Sequence, residues 1–241
     1  MPCILRNTLM MVQIRRKPIT LSRRVFLAGA TAGVALHGVH PAAVQASTVS
    51  FDSDWDHLTF RRLSPNRFEL RPNRLTVISD GTSSILYRIL PPELRNTTQA
   101  RWTWQVDASA PASDLSQIGN DDRNLGVFFA SMPADQAARV RAGTSIATLL
   151  RNRSVYVLMY TWGGNQPPGT VVPSPHAPDR LRNLITRRPA TGQFTENVDL
   201  ARDFPRVFNR PLEQVVAVAV SSNSENTPAR VVAHVSDFTL S

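Results

Sequence analysis

The stretch Ser154-Val155-Tyr156-Val157-Leu158-Met159-Tyr160-Thr161-Trp162 decides how this chain is read. Strand side chains alternate between two faces, so Val155, Val157 and Met159 share one side while Tyr156, Leu158, Tyr160 and Trp162 share the other. The aliphatic face suits a core. The aromatic face, with its hydroxyls, suits either a second packing layer or a surface that binds something flat. The expected orientation puts Val155, Val157 and Met159 on the core, with Tyr156, Tyr160 and Trp162 facing a groove.

Working outward, Gln99 to Asp107 alternates in the same way. Trp102, Trp104 and Val106 point one way, as core residues or as a stacking platform, and Arg101, Thr103 and Gln105 point the other. If the tryptophans are core, Arg101, Thr103 and Gln105 project onto an exposed or concave sheet face. Asp121 and Asp122 precede the apolar run Leu125 to Ala130. Adjacent carboxylates at a strand entrance can hold a hard cation, steer a loop, or accept from backbone amides. On the other side of Trp162, Gly163 to Pro178 carries three Gly and five Pro, which predicts an irregular loop, read as a rim over a ligand groove or as surface decoration.

The remaining segments extend the β pattern. His57 to Arg61, Arg67 to Leu70, Leu75 to Ser79 and Ser84 to Leu90 read as short strands parted by the turn signals Pro65-Asn66, Pro72-Asn73 and Asp80-Gly81. Arg180 to Arg187 is another strand, whose arginines suit carboxylate or phosphate clamping or a solvated face. Asn197 to Leu200 is a short extended piece. Val215 to Val220 is a buried strand, and Arg230 to Leu240 is a strand with a bulge near His234 to Asp237. Helix is expected only from Ser131 to about Gly143 and over Ala201 to Phe208, where Pro205 interrupts and Asn209 stops it. The polar connection Ser221 to Pro228 can offer several oxygens.

The chain is all-β with few short helices, and antiparallel. Its first 46 residues read as a removable twin-arginine signal peptide. Ser22-Arg23-Arg24-Val25-Phe26-Leu27 opens an apolar run, and Val44-Gln45-Ala46 supplies the peptidase site. The run falls short of the roughly 20 apolar residues of a membrane span, so stable insertion after cleavage is not expected. The expected location is the periplasm or beyond, with the twin-arginine translocase as partner during export. Residues 47–241 are then expected to form a single domain. Six of the 27 Lys and Arg residues precede Ser47 and no acidic residue does, which leaves 21 basic against 18 acidic residues. So mild an excess excludes nucleic acid as the expected partner. The one cysteine, Cys3, leaves with the peptide, and with it any disulfide or thiolate site.

Chemistry-bearing motifs are absent. The sequence holds no G-x-S-x-G elbow, phosphate loop, dinucleotide fingerprint or H-E-x-x-H helix, and His57, His176 and His234 fit no zinc spacing. No metal or cofactor is expected, and catalysis has no positive signal. Carboxylates are numerous enough for a glycosidase pair, but nothing selects two of them.

Several features, taken in order, resemble the bacterial exported family catalogued as domain of unknown function 3047. They are Trp102-x-Trp104-x-Val106, Asp121-Asp122, Tyr160-x-Trp162, Asp203-Phe204 with Phe208-Asn209, and Asn223 to Thr227 before the last strand. The chain departs from that pattern at Gly126, at Asn209 and across Asn223-Ser224-Glu225. The resemblance implies a jelly-roll-like β-sandwich similar to carbohydrate-binding modules. Three functions stay open. The first is a non-catalytic module binding a saccharide or small polar ligand through Tyr156, Tyr160, Trp162, Arg101, Thr103, Gln105, Asp121 and Asp122. The second is a jelly-roll polysaccharide lyase or hydrolase-like enzyme, and the third an envelope protein-interaction domain.

Overall fold

The computed structural model describes residues 46–227 and 229–241. The predicted export peptide, apart from Ala46, lies outside them. The described residues make one compact unit. Its strands are β1 (Ser47–Thr48), β2 (Asp56–Thr59), β3 (Arg67–Arg71), β4 (Arg74–Asp80), β5 (Ser83–Ile89), β6 (Gln99–Ala108) and β7 (Arg123–Met132). Two short helices, α1 (Ala134–Ala137) and α2 (Ile146–Arg151), precede β8 (Tyr156–Gly163), β9 (Val171–Pro173), β10 (Leu181–Arg187) and β11 (Gly192–Asp199). Then come α3 (Leu200–Phe208), β12 (Gln214–Asn223) and β13 (Arg230–Leu240).

Two sheets face each other as a jelly-roll-like sandwich. One has six strands in the order β11-β6-β13-β4-β3 with β1 beside β13, and the other seven in the order β2-β5-β12-β7-β8-β10-β9. Pairing is antiparallel, as expected, with one exception among the described strands, β8 and β10, which run parallel. The physical cause is the long connection 164–180, which carries the chain back to the end of the sheet where β8 began. Part of that stretch is regular despite its prolines, since β9 pairs with β10 from Val171↔Leu184 to Pro173↔Arg182. Pro173 sits on this edge strand, where its missing N–H leaves no central ladder unpaired.

Between the sheets lies an aromatic layer. Trp102 and Trp104 are buried there, and Trp104 meets Trp162 with ring centroids 5.5 Å apart while Trp102 meets Tyr160 at 5.6 Å. Phe129 and Phe238 complete the packing. The predicted orientation of β8 is therefore reversed. Tyr160 and Trp162 point into the sandwich, and Val155, Val157 and Met159 point to the outer face of the seven-stranded sheet. Alternation along the strand is correct, but large rings bury the most area and settle in the deepest layer, where both sheets cover them.

A second apolar cluster covers part of that outer face, where Ala137, Val140, Ile146 and Leu149 from the α1–α2 region join Val155, Val157 and Met159 and, from β12, Val216 and Ala217. Ser131, expected as a helix cap, stays in β7, because β7 is buried on both faces along its whole length. Pro205 lies inside α3 without breaking it. It faces solvent, as does Ala201, whose carbonyl water can satisfy. Asp199 caps α3 by accepting from the Arg202 amide at 2.9 Å, and Asn209 ends it in the left-handed region at φ 54°. The expected bulge in β13 appears as a register shift between Ser236 and Thr239, with Asp237 at φ 53°.

Candidate functional site

The open part of the outer face is a cleft of about 510 Å³. Ile85 on β5, Phe128 on β7, and Val157 and Met159 on β8 make its floor, and Leu63 and Leu150 stand at its mouth. Register explains the floor, because Phe128 lies directly opposite Met159. Gly126, one step along the same face, leaves the space that the Met159 side chain fills; a Cβ there would collide with the Met159 sulfur.

One end of this cleft is polar. β5, β7 and β12 meet there in register, with Asn223 paired to both Ser83 and Arg123. A register shift between Arg123 and Leu125 turns Arg123 onto the cleft side while Leu125 stays in the core. Asp121, just before β7, is buried, and its Oδ2 lies 3.1 Å from Nε2 of His176, whose side chain is 57% exposed. Glu225, just beyond β12, and Ser174, just beyond β9, complete the end.

The charges there are closely coupled. Arg123 is buried and donates to the Asp121 carbonyl at 3.2 Å and to Ser221 Oγ at 3.0 Å, while its Nε has no partner among the described residues. Burial lowers its pKa, against the pull of Asp121, Glu225 and Asp122, though a guanidinium stays protonated. Burial also raises the Glu225 carboxyl above its ordinary value of 4.5, helped by the charges of Asp122 and Asp121. Glu225 Oε1 accepts a long bond from Asn223 Nδ2 at 3.4 Å, and Oε2 is buried without a partner among the described residues. Glu225 Oε2 and Arg123 Nε are thus a buried acceptor and a buried donor on two cleft-lining side chains, each without a protein partner among the described residues.

Of the eight predicted site residues, the structure brings only Asp121 and Asp122 to this cleft, and only Asp121 lines it. Asp122 is fully buried and accepts from the Asn226 amide and side chain, both at 3.1 Å, and from Thr227 Oγ1 at 2.8 Å. It holds the β12–β13 connection in place, the backbone-bonded alternative for an acidic pair. Tyr160 donates to Asp203 Oδ2 at 2.8 Å in the core. Trp162 packs on Trp104 and Phe194, and Tyr156 packs on Phe208 beneath the Arg210 guanidinium. Arg101, Thr103 and Gln105 lie on the outer face of the other sheet, where Thr103 bonds Thr195 and Gln105 bonds Asp107. The aromatic core separates them from the cleft, so the predicted composite face does not exist.

Arg123, His176, Asn223 and Glu225 join the site without having been singled out for it. Their signals were present in pieces, in the acidic pair, the Pro-rich stretch and the polar Ser221–Pro228 connection. What was missing was the register that joins them. A second cavity, about 610 Å³, lies beside Pro91 and Pro92, but its arginines are already engaged. Arg88 bonds Asp54 at 2.8 Å, and Arg95 donates to the carbonyls of Leu90, Ala137 and Val140. Among the described residues, no group of three or more His, Asp or Glu side chains is placed to hold a metal ion.

The model of a family described as protein of unknown function, DUF3047, matches residues 53–239. The chain belongs to the DUF3047 family. No curated protein matches it in sequence. Among solved structures, it is similar to the xyloglucanase domain of NopAA, a type three effector from Sinorhizobium fredii, in complex with cellobiose. That match has 10% identity and a TM-score of 0.44, over 80% of this chain and 97% of that one. It is also similar to the K2 cleaved adhesin domain of Lys-gingipain, with 14% identity and a TM-score of 0.32 over 86% and 93% of the two chains.

Proposed function

We propose that this DUF3047 protein is exported by the twin-arginine route and binds a small polar ligand of the saccharide class in the outer-face cleft. The observation that carries the reading is the convergence of Asp121, Arg123, His176, Asn223 and Glu225 at one end of that cleft. Carboxylate and amide acceptors beside guanidinium and imidazole donors suit vicinal hydroxyls, each of which both donates and accepts. Unmet groups at Glu225 Oε2 and Arg123 Nε support it, since a ligand that satisfies both recovers their desolvation cost. The test is a thermal-shift and calorimetric screen of the protein against neutral sugars, uronic acids and divalent ions. A ligand present at 100 times its Kd stabilises the fold by about 2.7 kcal/mol. A saccharide hit lost in Glu225→Gln supports the reading; a screen negative for every sugar counts against it.

Export rests on Ser22-Arg23-Arg24 with Val44-Gln45-Ala46. A reporter fused after Ala46 reaches the periplasm, and the change of both arginines to lysine strands it in the cytoplasm. Equal export of both fusions removes the route.

A second reading, glycan cleavage, is favoured by one observation. Glu225 holds its proton above the ordinary carboxyl range, and Asp121 orients the half-exposed His176, a pairing of acid and base used in general catalysis. Release of reducing ends from a polysaccharide panel, absent in Glu225→Gln, distinguishes it from binding alone.

A further inference from the structure

We infer that the ligand of this cleft is an amphiphile, with an uncharged hydroxyl-bearing head at the Asp121–Glu225 end and an alkyl chain along the floor. The inference rests on the reading of the cleft as a ligand site and goes further by assigning the ligand's apolar half.

The floor carries the first argument. Away from the polar end it is hydrocarbon and thioether, from Ile85, Val157 and Met159, with Phe128 among them. Sugars rest their flat faces on exposed rings, and here the lining offers only Phe128 and the half-buried Phe60 against an aliphatic majority that includes Leu58, Ile85, Val157 and Leu181. The Arg123 guanidinium lies 5.8 Å from the Phe128 centroid, on the ring that a sugar would need. The aromatic residues that would make a stacking platform, Trp102, Trp104, Tyr160 and Trp162, are all inside the sandwich. A surface of aliphatic side chains instead suits a chain of methylenes, whose burial needs no ring geometry.

The mouth carries the second. Five large hydrophobic residues are exposed among the described residues, and two of them, Leu63 at 38% and Leu150 at 36%, flank this one cleft. Apolar exposure gathered at the rim of an apolar slot marks a binding surface, whereas scattered exposure does not.

The head group follows from charge. At the polar end three carboxylates, Asp121, Asp122 and Glu225, act on the Arg123 guanidinium, whose two terminal nitrogens are already bonded. Arg180, the other guanidinium of the lining, donates to the carbonyls of Leu150 and Asn152 at the mouth. His176 is held by Asp121. A carboxylate or phosphate head would meet uncompensated negative charge, whereas a hydroxyl can donate to Glu225 Oε2 and accept from Arg123 Nε.

The experiment titrates the full chain with methyl, hexyl and octyl β-glucoside, each below its micelle concentration, and with octanoate. The expected result is affinity that rises two- to fourfold per added methylene, the upper figure corresponding to about 0.8 kcal/mol per buried CH₂, with octanoate weaker than octyl glucoside. Leu63→Ser and Leu150→Ser, at exposed positions that do not threaten the fold, flatten the chain-length dependence. Equal affinity for methyl and octyl glucoside overturns the amphiphile and leaves the saccharide reading standing. Octanoate binding more tightly than octyl glucoside overturns the uncharged head. Failure of every glucoside to bind overturns the inference, and the saccharide reading beneath it falls only if the wider sugar screen is negative as well.

Discussion

Asp121 Oδ2 and His176 Nε2 stand 3.1 Å apart across 55 residues of sequence. The pair ties the entrance of β7 to the connection between β9 and β10, and so closes one wall of the cleft. Asp121 is buried and His176 largely exposed, so its removal leaves a shielded carboxylate that water can partly reach.

His176→Ala therefore costs about 0–1 kcal/mol of stability, the range of an exposed pair. Its larger effect falls on ligand affinity, because the wall loses its anchor. Urea denaturation and ligand titration of the same variant separate the two, and unchanged affinity would remove His176 from the site.

Tyr160→Phe behaves in the opposite way. Its hydroxyl is a donor to buried Asp203, and the burial and the Asp203 charge push the Tyr160 pKa far up. The loss leaves that carboxylate short of one partner, although Arg202 remains 3.2 Å away. About 1–3 kcal/mol of stability is lost, with ligand affinity unchanged. A binding defect without a stability defect would restore Tyr160 to a ligand face.

Gly126→Ala tests the floor. The added methyl displaces the Met159 side chain upward into the cleft, at a cost of about 1–3 kcal/mol for overpacking. Octyl glucoside binding weakens more than methyl glucoside binding. Equal weakening of both would place the chain elsewhere.

The pH dependence of stability reports on Glu225. Its folded pKa is raised, so below 4.5 both folded and unfolded states hold the proton and the site carries no penalty. As pH climbs, the unfolded chain ionises first and the folded state loses stability until its own pKa is passed. Glu225→Gln escapes this loss. Its melting temperature relative to wild type rises from acid to neutral pH, and a difference that is constant with pH would contradict the desolvation of the half-buried carboxyl, whose Oε2 has no partner among the described residues.

Much of the fold was legible because period-two patterns survive in the chain. The alternation of Trp102, Trp104 and Val106 against Arg101, Thr103 and Gln105 holds in the structure, as do the Asn209 helix stop and the bulge before Thr239. Alternation says which residues share a face, but not which face meets the second sheet. In β8 both sets are apolar enough to be buried, and for that reason Tyr160 and Trp162 were placed on the wrong side. β11 was read only from Asn197 because Gly192 to Thr195 is exposed and carries no apolar period, yet it pairs residue for residue with β6. The site was less legible still. Asp121, His176 and Glu225 come from three connections and Arg123 from the start of β7, and only the register of β5, β12, β7 and β8 brings them together.

The central claim is that ligand binds on the outer face of the seven-stranded sheet and not against the aromatic layer. Met132 and Met159 are the only methionines after Met11, and only Met159 lines the cleft. NMR of protein labelled at both the methionine methyls and the tryptophan indoles, followed during an octyl glucoside titration, reads this directly. The account predicts that the Met159 methyl signal moves to saturation while Met132 and the Trp162 indole signal stay in place. Saturable binding that leaves Met159 unmoved would contradict it.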